Sequence, residues 1–290
     1  MDLVTRVHER VNRQNRVAVA SAVTLALLAG CGTGGDARPP ALEHIHGLGV
    51  NPADGMLYVA SHHGVFRLDG QGDSEQIAGR TQDFMGFTIV GPNHFLASGH
   101  PGPHDESQPS NLGLIESTDA AQNWTALSLS GEADFHGMEA KHGRIYGYDS
   151  QSGQIMVSTD MQNWDRSARL GIADIAVAPD QPDEIVATTK QGPTRSTDGG
   201  QTFAVLSHAP LLSLADWPSS GRLVGVAPDG VVYMSSDRGA TWARRGQVAG
   251  SPQAITTHGD AEIYIATDDA IHHSSDNGAT FTVFHRIDNG

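Results

Sequence analysis

The chain has 290 residues, with 38% hydrophobic residues, 34 glycines and a formal net charge of −15, which is typical of a soluble globular protein with one large domain or two ordinary ones. The negative charge argues against a nucleic-acid partner, because a surface that neutralises phosphates must be basic. An acidic balance also fits the well-solvated surface of an exported protein.

The first forty residues differ from the rest of the chain. A polar segment with four arginines, "MDLVTRVHERVNRQNR", precedes the run "VAVASAVTLALLAG", which is too short to span a bilayer comfortably. A basic region followed by a short apolar region is typical of an export signal. The run ends in "LAGC", which resembles the lipobox of bacterial lipoproteins, in which the cysteine is lipidated and becomes the mature N-terminus.

This resemblance implies a lipoprotein signal peptide over residues 1–30 and a lipidated Cys31 that begins a flexible tether over 31–42. Cys31 is the only cysteine, so no disulfide can form within one chain. We therefore predict an exported protein that is anchored to a membrane by its N-terminal lipid, either at the cell surface or in the periplasm.

From residue 43 onwards the sequence repeats with a period near forty. Related segments occur at 117–124 ("STDAAQNW"), 158–164 ("STDMQNW"), 196–203 ("STDGGQTF"), 235–242 ("SSDRGATW") and 274–281 ("SSDNGATF"). Their aspartates lie 41, 38, 39 and 39 residues apart, at Asp119, Asp160, Asp198, Asp237 and Asp276. A fixed period of this length indicates one supersecondary unit that is repeated.

Each period contains four short strands separated by turns. In 209–248, for example, the strands "LLSLADW", "RLVGVA", "VVYMSS" and "TWARRGQ" are joined by "PSSG", "PDG" and the repeated segment. No stretch after residue 40 has a long helical period of apolar residues. We predict an all-β domain over 43–290, a six-bladed β-propeller with units at 43–80, 81–130, 133–170, 171–208, 209–248 and 251–288. The alternative is seven blades, with further strands in 81–130.

The repeated segment resembles the Asp-box, or BNR repeat, of sialidases and related propellers, Ser-x-Asp-x-Gly-x-Thr-Trp/Phe. The match is close at 196–203, 235–242 and 274–281, whereas the two earlier copies lack the glycine. The resemblance implies that the box joins the third and fourth strands, on the face away from the ligand. Its aspartate accepts N–H groups of its own turn, and its aromatic residue packs under the next sheet. We therefore expect the five box aspartates to stabilise the fold.

A binding site is expected on the opposite face, where first strands begin and second strands turn into third strands. Seven histidines of the first three blades fall there, and six of them are the candidate site residues: His44, His46, His62, His63, His100 and His136. Converging imidazoles suit a divalent transition metal such as Zn²⁺ or Cu²⁺. They also suit acid–base chemistry or hydrogen bonding to a sugar, and a third interpretation has them fill a polar channel.

The resemblance to sialidases adds a catalytic alternative. Sialidases clamp a carboxylate with three arginines, the first in an Arg-Ile-Pro motif that this chain lacks, so sialidase activity is not expected. Asp83 and Asp134, on adjacent blades, are candidate carboxylates of another glycoside hydrolase, or ordinary turn residues. The sequence thus predicts a membrane-anchored propeller that binds a glycan, a protein or a metal through its histidines, with a sialidase-like glycoside hydrolase as the alternative.

Overall fold

A computed structural model describes residues 42–103, 105 and 107–287. These residues form 24 strands and no helix, arranged as six four-stranded antiparallel sheets. The six-bladed propeller is therefore confirmed. The predicted signal peptide, Cys31 and the tether up to residue 41 lie outside the described residues. In the described part of the chain there is no helix long and apolar enough to cross a membrane.

The first three blades, numbered in chain order, take up residues 45–169. Blade 1 contains β1 (Ile45–Val50), β2 (Leu57–Ser61), β3 (Gly64–Leu68) and β4 (Ser74–Gln76). Blade 2 contains β5 (Asp83–Gly91), β6 (His94–His100), β7 (Leu114–Ser117) and β8 (Thr125–Ser128). Blade 3 contains β9 (Phe135–Lys141), β10 (Arg144–Asp149), β11 (Gln154–Ser158) and β12 (Asp165–Arg169). Within the described residues of 81–130 there is one four-stranded sheet, which excludes the seven-bladed alternative.

The other three blades follow the same order. Blade 4 contains β13 (Ile172–Val177), β14 (Ile185–Thr189), β15 (Thr194–Ser196) and β16 (Ala204–Val205). Blade 5 contains β17 (Leu214–Ser219), β18 (Arg222–Val226), β19 (Val231–Ser235) and β20 (Ala243–Gln247). Blade 6 contains β21 (Pro252–His258), β22 (Glu262–Thr267), β23 (Ala270–Ser274) and β24 (Thr282–Arg286). Since every sheet uses consecutive strands, successive turns of a blade alternate between the two faces of the ring.

Apolar side chains fill the seams between neighbouring blades. The aromatic residues of the boxes take part in five of these seams, each packing between its own blade and the preceding one: Trp124, Trp164, Phe203, Trp242 and Phe281. The expectation that they pack under the next sheet was wrong. The aromatic residue stands directly before the fourth strand, and its side chain lies on the sheet face that meets the preceding blade.

The seam between blades 6 and 1 is closed differently, because blade 1 has no complete box. Leu42 and Ile287, at the two ends of the described chain, are buried there in a shared cluster that includes Ile45 and Ile271. The backbone N–H of Ile45 also donates to Gln253 Oε1 at 3.0 Å. Side-chain packing, rather than a shared sheet, therefore closes the ring.

The Asp-boxes lie in the turns between third and fourth strands. In blade 5, Ser235 Oγ and the N–H of Thr241 donate to Asp237 Oδ1, both at 2.8 Å, and Thr241 Oγ1 donates to Asp237 Oδ2 at 2.5 Å. The hydrogen bonds from Thr241 and then Ser235 lower the pKa of Asp237 to about 2. Ser235 Oγ also accepts the N–H of Gly239, which has a left-handed φ of 83°. The carboxylate is thus saturated by its own turn.

Candidate functional site

One face of the propeller gathers the predicted histidines. It carries the starts of β1, β5 and β9, the turn between β2 and β3, and the end of β6. The box turns lie on the other face, because each third strand runs from one face to the other. We call the histidine face the set formed by His44, His46, His62, His63, His100 and His136 with Asp83 and Asp134.

Three imidazoles of blade 1 form a stack. The ring of His62 lies 4.7 Å from that of His44 and 4.6 Å from that of His46, with interplanar angles of 27° and 26°. His44 adopts a left-handed φ of 49°, unusual for a residue with a side chain. This backbone conformation, directly before β1, accompanies the stacking of the His44 ring on that of His62. His63, the neighbour of His62, points elsewhere, with Nε2 at 3.8 Å from Glu43 Oε2.

The first set of potential metal ligands joins blades 1 and 2. His46, His62 and Asp83 each offer one ligand atom, and these atoms all lie within 4.8 Å of one another. His62 Nε2 is 3.7 Å from Asp83 Oδ1. Asp83 Oδ1 and His46 Nε2 are both buried and have no hydrogen-bond partner among the described residues. We call His46, His62 and Asp83 the first ligand set.

The second ligand set consists of His100, Asp134 and His136, whose ligand atoms also lie within 4.8 Å of one another. Asp134 is only 2% exposed, and His136 Nε2 and Ser150 Oγ both lie 2.8 Å from its Oδ2. Its Oδ1 is buried without a hydrogen-bond partner. Burial acts to raise the pKa of Asp134, but the hydrogen bonds from His136 and Ser150 outweigh it and lower that pKa. Asp134 is therefore a carboxylate, unlike the general acid of a glycosidase.

A backbone carbonyl fixes the ring of His100. His100 Nδ1 lies 2.8 Å from the carbonyl oxygen of Ser110, in the long connection between β6 and β7. A carbonyl can only accept, so Nδ1 carries the proton and Nε2 of the neutral ring has a free lone pair. That Nε2 faces Asp134 Oδ2 at 3.8 Å. Metal-ligating histidines are oriented in this way, by a bond from the ring nitrogen that does not hold the metal.

The two ligand sets are neighbours. Burial, followed by the proximity of His62, His136 and His44, lowers the pKa of His46 to about 4. Burial also lowers the pKa of His62, with His44, His63 and His100 acting in the same direction against Asp83. A histidine of one set thus lowers the pKa of a histidine in the other set. Burial and these neighbouring imidazoles keep His46 neutral, which is the form that binds metal.

The histidine face opens onto the central channel. The channel is a cavity of about 710 Å³ lined by the first strands of all six blades, with His46 and His136 among its lining residues. Deeper inside, Lys141 Nζ donates to the carbonyl oxygens of Val177 and Trp217, at 2.8 and 2.9 Å. Glu139 Oε1 lies 2.5 Å from the same ammonium group. This ion pair and its hydrogen bonds link blades 3, 4 and 5.

No arginine lines the described channel. Two arginines of the described blades bond elsewhere: Arg144 Nη1 to Asp183 Oδ1 at 2.7 Å, and Arg222 to the carbonyl oxygens of Gly259 and Glu262. Among the described residues that line the channel there is therefore no cluster of guanidinium groups that could clamp a substrate carboxylate.

The fold is shared with known β-propellers. YCF48 from Cyanidioschyzon merolae has a TM-score of 0.56 at 13% identity, with 82% of this chain and 96% of that one covered. YCF48 bound to a D1 peptide has a TM-score of 0.52 at 17% identity, covering 84% and 83%. A chain of the nidogen–laminin complex reaches 0.63 at 14% identity, covering 79% and 93%. At these identities the likeness shows the fold alone.

A larger enzyme also contains this fold. The GH74 xyloglucanase from Xanthomonas campestris has a TM-score of 0.54 at 16% identity, with 84% of this chain covered. The present chain spans only 38% of that enzyme. No family model and no curated protein matches the chain.

The structure also shows partners that the sequence reasoning missed. Ser150 and Asp149 support Asp134, the latter by accepting its backbone N–H at 3.0 Å, and Ser110 orients His100. Asp149 ends the second strand of blade 3 and Ser150 follows it, in the same turn that holds His62 and His63 in blade 1. The expectation that turns between second and third strands lie on the binding face would have pointed to them, if it had been applied to blade 3. Ser110 lies in an irregular connection and gave no such signal.

Proposed function

We propose that this protein is an exported, membrane-anchored propeller that binds a divalent transition metal, Zn²⁺ or Cu²⁺, on its histidine face. The observation that carries the proposal is the convergence of imidazoles and carboxylates from three blades, with buried polar atoms that have no hydrogen-bond partner among the described residues. Neutral imidazole and carboxylate are ligands that these ions accept. Support for a binding role also comes from YCF48 bound to a D1 peptide and from the nidogen–laminin complex, which share the propeller fold.

Titration of Zn²⁺ into the purified full chain tests the metal. All proteins carry Cys31→Ser, which removes the only thiol and the metal binding it would add. We expect saturable binding in this background and its loss in the His62→Ala/His100→Ala variant, which removes one imidazole from each ligand set. His142→Ala is the control, because His142 lies in the turn between β9 and β10 on the other face, with Nε2 at 2.7 Å from the carbonyl oxygen of Ala178.

Absence of saturable binding in the folded protein would overturn the metal proposal. Equal loss in His142→Ala would do the same, because it would show that the binding does not depend on the histidine face. Thermal melting of each variant without metal establishes that it is folded.

The anchor is tested separately. We expect mass spectrometry of the membrane fraction to find a lipidated N-terminal fragment that begins at Cys31, as "LAGC" implies. Cys31→Ser should release the protein from membranes. A soluble product that is cleaved at another position, or a Cys31→Ser protein that still fractionates with membranes, would contradict the anchor without affecting the metal proposal.

A further inference from the structure

Two complete ligand sets stand side by side on the histidine face, and they share no residue. Each contains two imidazoles and one carboxylate: His46, His62 and Asp83 in the first, and His100, His136 and Asp134 in the second. We propose that the histidine face is a two-metal centre, which holds one divalent transition-metal ion on each set. This inference rests on the proposed function, since it names how many ions the same face holds and on which atoms.

The spacing within each set suits one ion. A Zn²⁺ ion with bonds of roughly 2.0–2.2 Å brings its ligand atoms to within about 4 Å of one another. His62 Nε2 and Asp83 Oδ1 are 3.7 Å apart in the first set, and His100 Nε2 and Asp134 Oδ2 are 3.8 Å apart in the second. Among the described residues, only these two groups of three gather within 4.8 Å, and no larger group does. The geometry thus divides the six side chains into two triads.

Each set also keeps a buried polar atom that has no hydrogen-bond partner among the described residues. These atoms are His46 Nε2 and Asp83 Oδ1 in the first set and Asp134 Oδ1 in the second. A buried polar atom without a hydrogen bond costs stability, and an ion on each set would offset that cost. One ion would give a partner to the atoms of one set only.

The second set is the better organised of the two. Ser110 fixes the tautomer of His100, and Ser150 and Asp149 hold Asp134 in place. The first set has no comparable bond to His46 Nε2 or Asp83 Oδ1. Two divalent ions also repel each other, so the second ion to bind should bind more weakly. We therefore expect the second ligand set to fill first, with the Nε2 proton of His136, which now bonds Asp134 Oδ2, released or moved to Nδ1 as the ion binds.

Each ion would keep an open coordination position. Three protein ligands and one free position are the arrangement of Zn²⁺ sites that bind water or a further ligand. His46 and His136, one from each set, both line the channel. The chemical class of ligand that would fit there is a small oxygen donor, such as water, hydroxide or a carboxylate.

The test is the number of ions bound at saturation. Equilibrium dialysis against Zn²⁺, with elemental analysis, is applied to the full chain in the Cys31→Ser background. The number is taken relative to His62→Ala/His100→Ala, so that ions held elsewhere on the chain cancel. We expect the parent to bind two ions more than the double variant. The single variants His62→Ala and His100→Ala should each bind one ion more than the double variant, and His142→Ala should bind two more. Asp83→Asn and Asp134→Asn should repeat the two single losses.

The outcomes separate the two proposals. A parent that binds one ion more than the double variant, with that ion lost in both single variants, would overturn the two-metal centre and leave a metal-binding face. No difference between the parent and the double variant would overturn both. As a second measurement, two Cu²⁺ ions on neighbouring sets should broaden each other's electron paramagnetic resonance spectrum. The broadening should disappear in His100→Ala, and an unbroadened spectrum at two bound ions would contradict the adjacency.

Discussion

The two faces of the propeller are built from the same strands and both carry carboxylates, but they use them differently. On the Asp-box face, each carboxylate is satisfied within its own turn, as Asp237 is by Ser235 and Thr241. On the histidine face, Asp83 and Asp134 each keep a buried oxygen without a hydrogen-bond partner. Saturated groups stabilise a turn and have little left to offer a ligand. Unsaturated groups cost stability, and the cost is offset when an ion binds.

The largest pH-dependent effect should come from the channel between the faces. Burial raises the pKa of Asp174 to about 7, although the N–H groups of Ile175 and Ala215 donate to its carboxylate. The folded protein thus holds this proton more tightly than the unfolded chain does. The contribution of Asp174 to the free energy of unfolding should therefore fall as the pH rises from about 4, the ordinary pKa of an aspartate, to about 7.

Denaturant unfolding of the metal-free protein at several pH values measures this contribution. Asp174→Asn should remove the contribution of this proton. The difference in free energy of unfolding between the parent and Asp174→Asn should therefore change with pH between about pH 4 and pH 7. A difference that is flat between pH 4 and pH 7 would contradict the account. Zinc stoichiometry should be the same in both proteins, because Asp174 belongs to neither ligand set.

A smaller effect is expected from the Asp-box face. Ser235 Oγ is buried and accepts the N–H of Gly239 at 2.8 Å, so Ser235→Ala leaves that N–H without its partner. The free energy of unfolding should fall by about 1–3 kcal/mol, measured by chemical denaturation. Zinc affinity should not change, because the turn lies on the far face. If Ser235→Ala lost zinc affinity without losing stability, the Asp-box face would be the one that binds metal, which would contradict this account.

The smallest effect should follow from His44→Ala. His44 stacks on His62 but belongs to neither ligand set, so we regard it as a positioning residue. Loss of a stacking contact worth roughly 0.5–1.5 kcal/mol should weaken zinc binding at the first ligand set by about 2- to 13-fold, with the number of ions unchanged. His44→Gly should weaken binding similarly while relieving the left-handed backbone. Loss of one whole ion in His44→Ala would instead make His44 a ligand.

The fold could be predicted because its signals are local and repeated. The turns between strands recur with the box, and the up-and-down order of consecutive strands then fixes which face of the ring every turn occupies. The same reasoning placed six histidines on one face. The arrangement of four of them, with Asp83 and Asp134, into two ligand sets could not be predicted, because it depends on ring rotations and on bonds such as that from His100 to Ser110. The direction of Trp242 and its relatives, toward the preceding blade, likewise depends on how two sheets pack.

Thermal melting with and without Zn²⁺ tests most directly whether the unsaturated face is a metal site. Zinc at about one hundred times its dissociation constant stabilises a folded protein by about 2.7 kcal/mol per site, which for a domain of this size raises the melting temperature by roughly 5–10 °C. We predict this rise in the Cys31→Ser parent and in His142→Ala, and none in His62→Ala/His100→Ala. A parent that melts at the same temperature with and without zinc would contradict the account, as would an equal rise in all three proteins.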